Sequence, residues 1–208
     1  MIIARAPVRI SFGGGGTDLA AYYARHGGFV VSAAITRYSY VAVSQPTTPR
    51  ITITSADYRR RISWPLTALD PAQAPAPTPI RQPLALPKAA IAEWAELVGV
   101  GQHPVMQRGA DVFLAAEAPP GTGLGSSSAM ACALTVALAA YSGMTLTPAE
   151  VAEAACRIEI ERLKAPIGRQ DQYASAFGGL NAISFTSDGV RAEPLHLPET
   201  TLQALEQR

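Results

Sequence analysis

Three glycines and three serines between a predicted strand and a predicted helix form the clearest chemical signal in this chain. Residues 119–129 read PPGTGLGSSSA, after an apolar strand pattern at 111–116 and before an apolar helix pattern at 126–141. Glycines let backbone N–H groups approach an anion closely, and the free N–H groups of a helix N-terminus favour negative charge. The segment lacks the lysine that ends a Walker loop. It predicts a polyphosphate site whose serine hydroxyls suit Mg²⁺, although glycine spacing alone fits a tight turn equally well.

A glutamate from the following helix is expected beside these serines. The helix start TPAE at residues 147–150 predicts a second helix that runs to about Lys164. A short turn joins the two helices, so they are antiparallel and Ser127 lies level with Glu161. Glu159 and Glu161 are two residues apart and point to different faces. Spacing alone does not choose between them, and either residue also fits a solvated helix position.

An aspartate close to an arginine supplies a candidate base. Asp171 lies in the polar cluster GRQDQY at residues 168–173. Arg169 would keep the carboxyl ionised, so that it could accept a proton or orient a hydroxyl. A helix N-cap explains an aspartate at this position equally well.

The elements that must position these residues are of mixed type. Alternating Val, Ile, Thr and Tyr predict antiparallel strands, and apolar residues at helical spacing predict further helices. Thr17 and Asp18 are expected to cap a short helix after the glycine run at residues 13–16. Seven prolines mark residues 65–87 as a surface connector. We expect strands at 4–12, 29–35, 38–44, 51–55 and 59–64, helices at 88–98 and 199–208, and a hairpin at 180–185 and 190–197.

Composition excludes several classes of protein. With 208 residues, of which 48% are hydrophobic, the chain is long enough to bury a core. A formal net charge of +1 gives no field that would attract nucleic acid or anionic lipid. Cys132 and Cys156 lie in apolar stretches without metal-ligand spacing, which predicts buried thiols. No secretion signal is visible and residues 129–140 are too short to cross a bilayer, so we expect a cytoplasmic protein without a membrane partner.

Three segments resemble, in chain order, motifs of the GHMP kinases, the family of galactokinase, homoserine kinase and mevalonate kinase. Residues 120–129 look like the nucleotide loop PxxxGLGSSxA of that family. Residues 6–19, APVRISFGGGGTDL, align without a gap with APGRVNLIGEHTDY of galactokinases, in which Arg9 and Asp18 match and Gly15-Gly16 replace a Glu-His pair. The GGGTD form, with EIER at 159–162 and GRQDQYASAFGG at 168–179, most closely resembles the D-glycero-D-manno-heptose 7-phosphate kinase subgroup.

The resemblance implies roles for individual residues. Asp171 would be the catalytic base, with Arg9 beside it and beside the transferring phosphate. Ser127 and Glu161 would hold Mg²⁺, which selects Glu161 from the two glutamates. Asp18 would bind sugar hydroxyls, with Gly16, Thr17, Arg169 and Gln172 also near the substrate. ATP would bind the loop residues Pro120, Gly121, Thr122, Gly123, Leu124, Gly125, Ser126, Ser127 and Ser128.

The resemblance also implies a fold and a reaction. Residues 1–180 would form an α+β GHMP kinase N-terminal domain of the ribosomal protein S5 domain 2-like type. Residues 181–208 would only begin a ferredoxin-like C-terminal domain, which leaves an exposed apolar face and predicts a homodimer. The implied activity is ATP-dependent phosphorylation of an anomeric hydroxyl, with heptose 7-phosphate as the expected substrate. A fucokinase-like sugar kinase and a non-catalytic nucleotide or sugar-phosphate binding fragment remain the alternatives.

Overall fold

A mixed β-sheet of seven strands organises the part of the chain that the structure describes. This structure is a computed structural model and describes residues 1–66, 82, 84–98 and 108–206. The strands are β1 (Ile2–Gly13), β2 (Gly28–Ser44), β3 (Arg50–Ser55), β4 (Arg60–Pro65), β5 (Gly109–Ala116), β6 (Leu180–Thr186) and β7 (Gly189–Pro194). The helices are α1 (Ala20–His26), α2 (Ala85–Val98), α3 (Ser126–Tyr141), α4 (Pro148–Cys156), α5 (Gln170–Phe177) and α6 (Glu199–Glu206). A π-helical segment, Arg157–Arg162, continues α4 and is called the π-turn below.

The sheet is built around the long strand β2. It pairs with β1 along most of its length, while one half also pairs with β6 and the other with β5. The sequence predicts two strands here, at 29–35 and 38–44, whereas the structure has one strand of 17 residues with a register shift opposite Pro7 and Arg9. At this irregularity the backbone N–H of Arg9 donates to the carbonyl of Leu124, 2.9 Å away. The bulge therefore ties β1 to the glycine-serine segment.

The core lies between the sheet and α3, which explains the composition of that helix. Small side chains allow a helix to approach a sheet closely, and most buried positions of α3 are small: five alanines, Ser128 and Cys132. The largest fully buried side chains of the sheet include Ile51, Ile53 and Phe185. Both cysteines are free and buried, as predicted. Ile3 and Phe113 remain exposed on strands β1 and β5, and the homodimer stays a prediction.

The helix predicted from residue 147 to about 164 changes its winding part of the way along. Its start is confirmed: Thr147 and Glu150 form a capping box, and Pro148 opens α4. After Cys156 the hydrogen-bond pattern becomes i→i+5, and the Leu163 N–H donates to the Ile158 carbonyl at 3.1 Å. In a π-helical segment the side chains point in other directions than in an α-helix. The prediction of an α-helix is therefore wrong for residues 157–162.

Two predictions differ from the structure, and a third falls mostly outside the described residues. Strands β6 and β7 extend the same sheet as β2, so the domain boundary predicted at residue 181 falls inside that sheet. Thr17 and Asp18 do not cap α1, whose N-cap is Leu19 without a side-chain hydrogen bond. Of the connector predicted at 65–87, residues 67–81 and 83 lie outside the described residues. Across the described ranges, no helix is long and apolar enough to cross a membrane.

Candidate active site

The glycine-serine loop forms an open cradle at the N-terminus of α3. Gly121, Gly123 and Gly125 have φ values of 85°, 75° and 74°, a left-handed conformation that disfavours residues with a Cβ. A Cβ at Gly121 or Gly123 would point into open space, so these backbones border a free volume. Gly125 is the N-cap of α3 and gives no side-chain hydrogen bond to the first-turn N–H groups. Uncapped N–H groups beside an open loop suit an anion with several oxygens.

The carboxylate beside this loop belongs to Glu159. It accepts hydrogen bonds from the hydroxyls of Ser127 and Ser128, the latter at 2.7 Å, and from the amide of Gln172 at 2.6 Å. Glu161, the residue assigned to Mg²⁺ by resemblance, is exposed and lies instead with Asp18 and Arg169 at a separate cavity of about 210 Å³. Ser127 therefore meets Glu159 and not Glu161, and Glu159 lies in the π-turn rather than in the α-helix expected here. The assignment of Glu161 to Mg²⁺ stays a prediction.

Burial determines the protonation behaviour of Glu159. The residue has no exposed surface. Loss of hydration raises the pKa of its carboxyl, and the hydrogen bonds from Ser127, Ser128 and Gln172 offset only part of this effect. The Asp171 charge raises this pKa further. A nearby cation would stabilise this buried negative charge. The Glu159 carboxylate and the hydroxyl of the exposed Ser127 therefore suit a divalent ion.

Asp171 and Arg9 form an ion pair at the rim of the same loop. Arg9 Nε lies 2.7 Å and a terminal nitrogen 2.5 Å from one oxygen of Asp171, while the other terminal nitrogen donates to the Gly123 carbonyl at 2.8 Å. Asp171 is in the first turn of α5, and the N-cap is Arg169, so the alternative interpretation of Asp171 as an N-cap is excluded. A Cβ on Gly125 would lie 3.1 Å from Asp171 Oδ2, which places the carboxyl directly against the loop.

Burial and the neighbouring charges shift the pKa of the Asp171 carboxyl in opposite directions. Partial burial raises its pKa, Arg9 lowers it through charge and hydrogen bonding, and Asp18 raises it. The net effect is a pKa above the ordinary value. A carboxylate of raised pKa is a stronger proton acceptor, and a base works best when its pKa approaches the operating pH. Because the Asp171 side chain is 23% exposed, it could take a proton from a hydroxyl that approaches it from solvent beside the loop.

Asp18 holds two backbone segments together. Its carboxylate accepts from the Gly16 N–H and from the Gln170 N–H, each at 3.0 Å, and only 2% of the residue is exposed. A Cβ on Gly168 would lie 1.9 Å from Asp18 Oδ2, so only glycine permits this approach. The predicted direct contact of Asp18 with a sugar is not supported by this geometry. Asp18 instead joins the first glycine turn to the start of the helix that carries Asp171.

Thr17 and Gly16 belong to the same turn. The Thr17 hydroxyl donates to the carbonyl of Gly14 at 2.7 Å and accepts from the Phe29 N–H at 3.0 Å. These bonds close the turn onto β2, so the Thr17 side chain is occupied within the protein. Gly16 and its glycine neighbours are exposed, although the Gly16 N–H donates to Asp18 and the Gly14 carbonyl accepts from Thr17.

Gln172 and Arg169 both have partners within the protein, and their predicted role as substrate contacts stays a prediction. Gln172 is fully buried, and its amide donates to Glu159. Arg169 lines the cavity of about 210 Å³ together with Asp18. Arg169 forms an ion pair with Glu153, and its guanidinium lies 5.8 Å from the centre of the Tyr173 ring. Glu153 also accepts from the Tyr173 hydroxyl. Both side chains therefore stabilise the packing of α5 against α4 rather than pointing into the loop.

A second feature of the site was missed from the sequence. A cavity of about 170 Å³ adjoins the loop at Pro120, Gly121, Ser126 and Ser127. Its remaining wall is mainly apolar and comes from distant elements, including Leu84, Leu86, Leu114, Met130 and Leu163. An apolar cavity next to an anion cradle suits a flat heterocycle joined to phosphates. No local motif signals it, because its wall is assembled from separate parts of the chain.

The donor set accommodates a metal only together with another ligand. Among the residues that the structure describes, no three His, Cys, Asp or Glu side chains cluster so as to hold an ion by themselves. The Ser127 hydroxyl and the Glu159 carboxylate offer two hard oxygen ligands. Mg²⁺ prefers oxygen ligands and is usually bound by one or two protein groups plus phosphates and water. These residues therefore fit Mg²⁺ bound jointly with a polyphosphate.

Comparisons with known proteins show what this chain is similar to in sequence and fold. Residues 85–179 match the family model of the GHMP kinases N terminal domain. A D-glycero-alpha-D-manno-heptose 7-phosphate kinase of Campylobacter jejuni is 26% identical over 220 residues, covering 98% of this chain and 57% of that protein. A D-glycero-D-manno-heptose 1-phosphate kinase structure from Bacteroides thetaiotaomicron is 26% identical with a TM-score of 0.85, covering 99% of this chain and 63% of its own. A mevalonate kinase of Methanococcus jannaschii, at 16% identity and a TM-score of 0.74, shares the fold.

Proposed function

We propose that this chain, of which residues 85–179 match the GHMP kinases N terminal domain, binds ATP and transfers its terminal phosphate to a hydroxyl of a sugar or sugar phosphate. The observation that carries the proposal is the position of the Arg9–Asp171 pair. It lies against Gly123 and Gly125 of the loop, with Ser127 and Glu159 at the same helix N-terminus. A candidate base (Asp171), a positively charged side chain (Arg9) and an anion-binding loop lie side by side, which suits phosphoryl transfer. The chain spans 57% of the curated relative, so activity of these 208 residues alone is part of the proposal.

The nucleotide occupies the loop and the adjoining cavity in this proposal. The phosphates lie along the backbone of residues 120–125 and at the first-turn N–H groups of α3. The base enters the apolar cavity beside Met130 and Leu163. The helix dipole and the backbone donors supply attraction without a lysine, which is absent from this loop.

Asp171 and Arg9 then carry the chemistry. Asp171 accepts the proton of the acceptor hydroxyl, or orients it, as the oxygen attacks the terminal phosphorus. The bond between that phosphorus and the bridging oxygen breaks, and ADP leaves. Arg9, fixed by Asp171 and the Gly123 carbonyl, lies where it can stabilise the charge on the transferring group. Most of the rate enhancement in such a reaction comes from positioning and electrostatics.

Mg²⁺ would be held by Ser127 and Glu159 together with the phosphates. When bound, it supplies charge neutralisation for the polyphosphate and for the leaving group. Gln172 and Ser128 keep the Glu159 carboxylate in place, so that only the Ser127 side needs to open toward the ion. Glu161 takes no part in this assignment.

The proposed acceptor is the anomeric hydroxyl of D-glycero-D-manno-heptose 7-phosphate, which gives the 1,7-bisphosphate. Its support is the names of two relatives, each 26% identical to this chain, which both specify a manno-heptose phosphate. The two names differ in the position of the phosphate, so the panel of acceptors must include both forms. A fucokinase-like preference for an unphosphorylated sugar is the competing outcome.

The test is sugar-dependent ADP release from the purified 208-residue chain with Mg²⁺ and ATP. Acceptors are heptose 7-phosphate, heptose 1-phosphate, fucose and galactose. Asp171→Asn should abolish release while leaving ATP affinity almost intact, and the exposed Asp188→Asn in the β6–β7 turn serves as the matched control. Full turnover in Asp171→Asn would remove the base assignment.

A second candidate is a module that binds nucleotide or sugar phosphate without turnover. The observation that favours it is the share of the relatives that this chain spans, 57% of one and 63% of another. ATP affinity that depends on Ser127, without ADP release from any acceptor, would support this candidate. Release with one acceptor that disappears in Asp171→Asn would exclude it.

A further inference from the structure

A buried carboxylate on α2 binds both ends of the π-turn. Glu93 Oε1 accepts from Arg157 Nε at 2.7 Å, and Glu93 Oε2 accepts from Arg162 Nε at 2.5 Å. Only 10% of the Glu93 side chain is exposed, and a buried charge is retained at such a position only when it is paired. Burial alone would raise the pKa of Glu93, but the two guanidinium groups hold it below its ordinary value.

The winding of the π-turn is what lets one carboxylate reach both arginines. Arg157 and Arg162 are five residues apart, which in an α-helix would separate their directions by about 140°. In the i→i+5 pattern residues five apart are neighbours on successive turns. Both arginines therefore reach the same carboxylate on α2.

Glu159 leaves the same turn on another side. It lies two residues after Arg157, and its carboxylate meets Ser127 and Ser128 of α3. We propose that Glu93 is a positioning residue for Glu159: it clamps the first and last residues of the π-turn and thereby fixes how Glu159 faces the serines. The inference rests on the proposed function, in which Glu159 and Ser127 hold the divalent ion.

Helix α2 connects this clamp to the cavity beside the glycine-serine loop. Ala85, Leu86 and Pro87 at the start of α2 line the cavity beside the glycine-serine loop. Glu93 is two turns further along the same helix. One rigid element therefore borders the proposed nucleotide cavity and fixes the segment that presents Glu159.

The chain supplies a matched control on the same helix. Glu96 also binds Arg162, but it has no contact with Arg157 within the described residues and its side chain is 51% exposed. Glu96→Gln removes one charged partner of the π-turn without opening the clamp. Glu93→Gln keeps the size of the side chain and removes the charge that both arginines need. Glu93→Asp keeps the charge and shortens its reach, and it serves as the conservative variant if Glu93→Gln folds poorly.

The experiment measures two quantities on the full 208-residue chain. The first is deuterium exchange of peptides that cover residues 157–165. The second is the affinity for a non-hydrolysable ATP analogue with Mg²⁺ and with EDTA, whose ratio reports the enhancement by the metal. In Glu93→Gln we expect faster exchange in this segment and a loss of enhancement of about tenfold, the lower end of the loss seen when residues that support metal ligands are changed. Affinity in EDTA and both readouts for Glu96→Gln stay as in the wild type, and Glu93→Asp lies between.

Each result decides the inference. An enhancement ratio in Glu93→Gln equal to that of the wild type, even with a lower melting temperature, would reduce Glu93 to a structural ion pair and overturn the proposal. Unchanged exchange at 157–165 would overturn the clamp itself. If the wild type shows no enhancement by Mg²⁺, the proposed function fails, and the exchange data alone then confirm or overturn the clamp.

Discussion

Replacing Glu159 by glutamine should stabilise the protein while removing its activity. The carboxylate is fully buried and accepts three hydrogen bonds from neutral donors. Glutamine has the same shape and can keep all three bonds, because its amide oxygen accepts from Ser128 and Gln172 and its NH₂ group donates to the Ser127 hydroxyl. The substitution therefore removes the buried charge and keeps the three bonds, and it leaves only the second N–H of the new amide without a partner among them.

The expected gain follows from the balance of hydration and hydrogen bonding. A hydrogen bond to a charged group contributes about 1.5–3 kcal/mol and a neutral one about 0.5–1.5 kcal/mol, so the change weakens three bonds. Burial of an ionised carboxylate costs several kcal/mol. The raised pKa of Glu159 shows that burial outweighs the bonds. We expect a net gain on the order of 1 kcal/mol, or about 2–4 °C in melting temperature for a chain of this size.

The gain should depend on pH with a defined sign. The pKa of Glu159 in the folded state is above its ordinary value of 4.5. Its contribution to stability is therefore complete below the pKa of the unfolded chain and is lost as pH rises through the folded-state pKa. The Glu159→Gln variant has no carboxyl to ionise at this position, so it does not lose this stability as pH rises. The melting temperature of the variant should exceed that of the wild type near pH 8, and the difference should disappear near pH 4.

Thermal denaturation without nucleotide, at both pH values, measures this effect. Glu161→Gln is the matched control, since Glu161 is exposed and lies two residues further along the π-turn. We expect its stability to stay within about 0.5 kcal/mol of the wild type and its ADP release to be unchanged. The reasoning is refuted if Glu159→Gln melts below the wild type near pH 8. Loss of activity in Glu161→Gln but not in Glu159→Gln would restore the assignment made by resemblance.

Three further changes test how the site is held. Asp18→Ala removes the acceptor shared by Gly16 and Gln170, so kcat should fall by about 10²-fold with little change in the sugar KM, whereas a rise in KM alone would show direct sugar contact. Gly168→Ala should lower stability by about 1–3 kcal/mol in thermal melts, because its Cβ would meet Asp18, and an unchanged melt would contradict this. Arg9→Gln removes a group that lowers the pKa of Asp171, so the acid limb of the pH profile of kcat/KM should move to higher pH; an unchanged limb would separate Arg9 from the base.

The sequence predicts the glycine-serine loop, α3 and the capped start of α4 well because neighbouring residues determine them. Glycines at positive φ, a helix that begins at the serines and a capping box depend on interactions within a few residues. Spacing left Glu159 and Glu161 open, and the resemblance selected Glu161. The sequence also predicted α-helical winding here, whereas residues 157–162 form a π-turn whose arginines bind Glu93, more than 60 residues away in sequence.

The burial of polar residues is a second feature that the sequence does not reveal. Asp18 and Gln172 have side chains that could contact a substrate, and motif position alone does not reveal whether such a side chain is exposed. In the fold, the Asp18 carboxylate is occupied by backbone N–H groups and the Gln172 amide by Glu159. The apolar cavity was missed because its wall combines β5, α2 and α3 with the residue after the π-turn. Such assembly depends on tertiary packing, which local patterns do not encode.

The site separates groups that can reach a ligand from groups that hold them. Ser127 is exposed and the Asp171 side chain is 23% exposed, whereas Glu159, Asp18 and Gln172 are buried. Phosphoryl transfer depends on charges that are already oriented before the reaction, because reorientation during the reaction would add to the barrier. Each buried residue has its partners within the protein, so the orientation is set before any ligand binds. Substitutions at Asp18 should therefore change kcat more than ligand affinity, whereas removal of the exposed Ser127 hydroxyl should change nucleotide affinity.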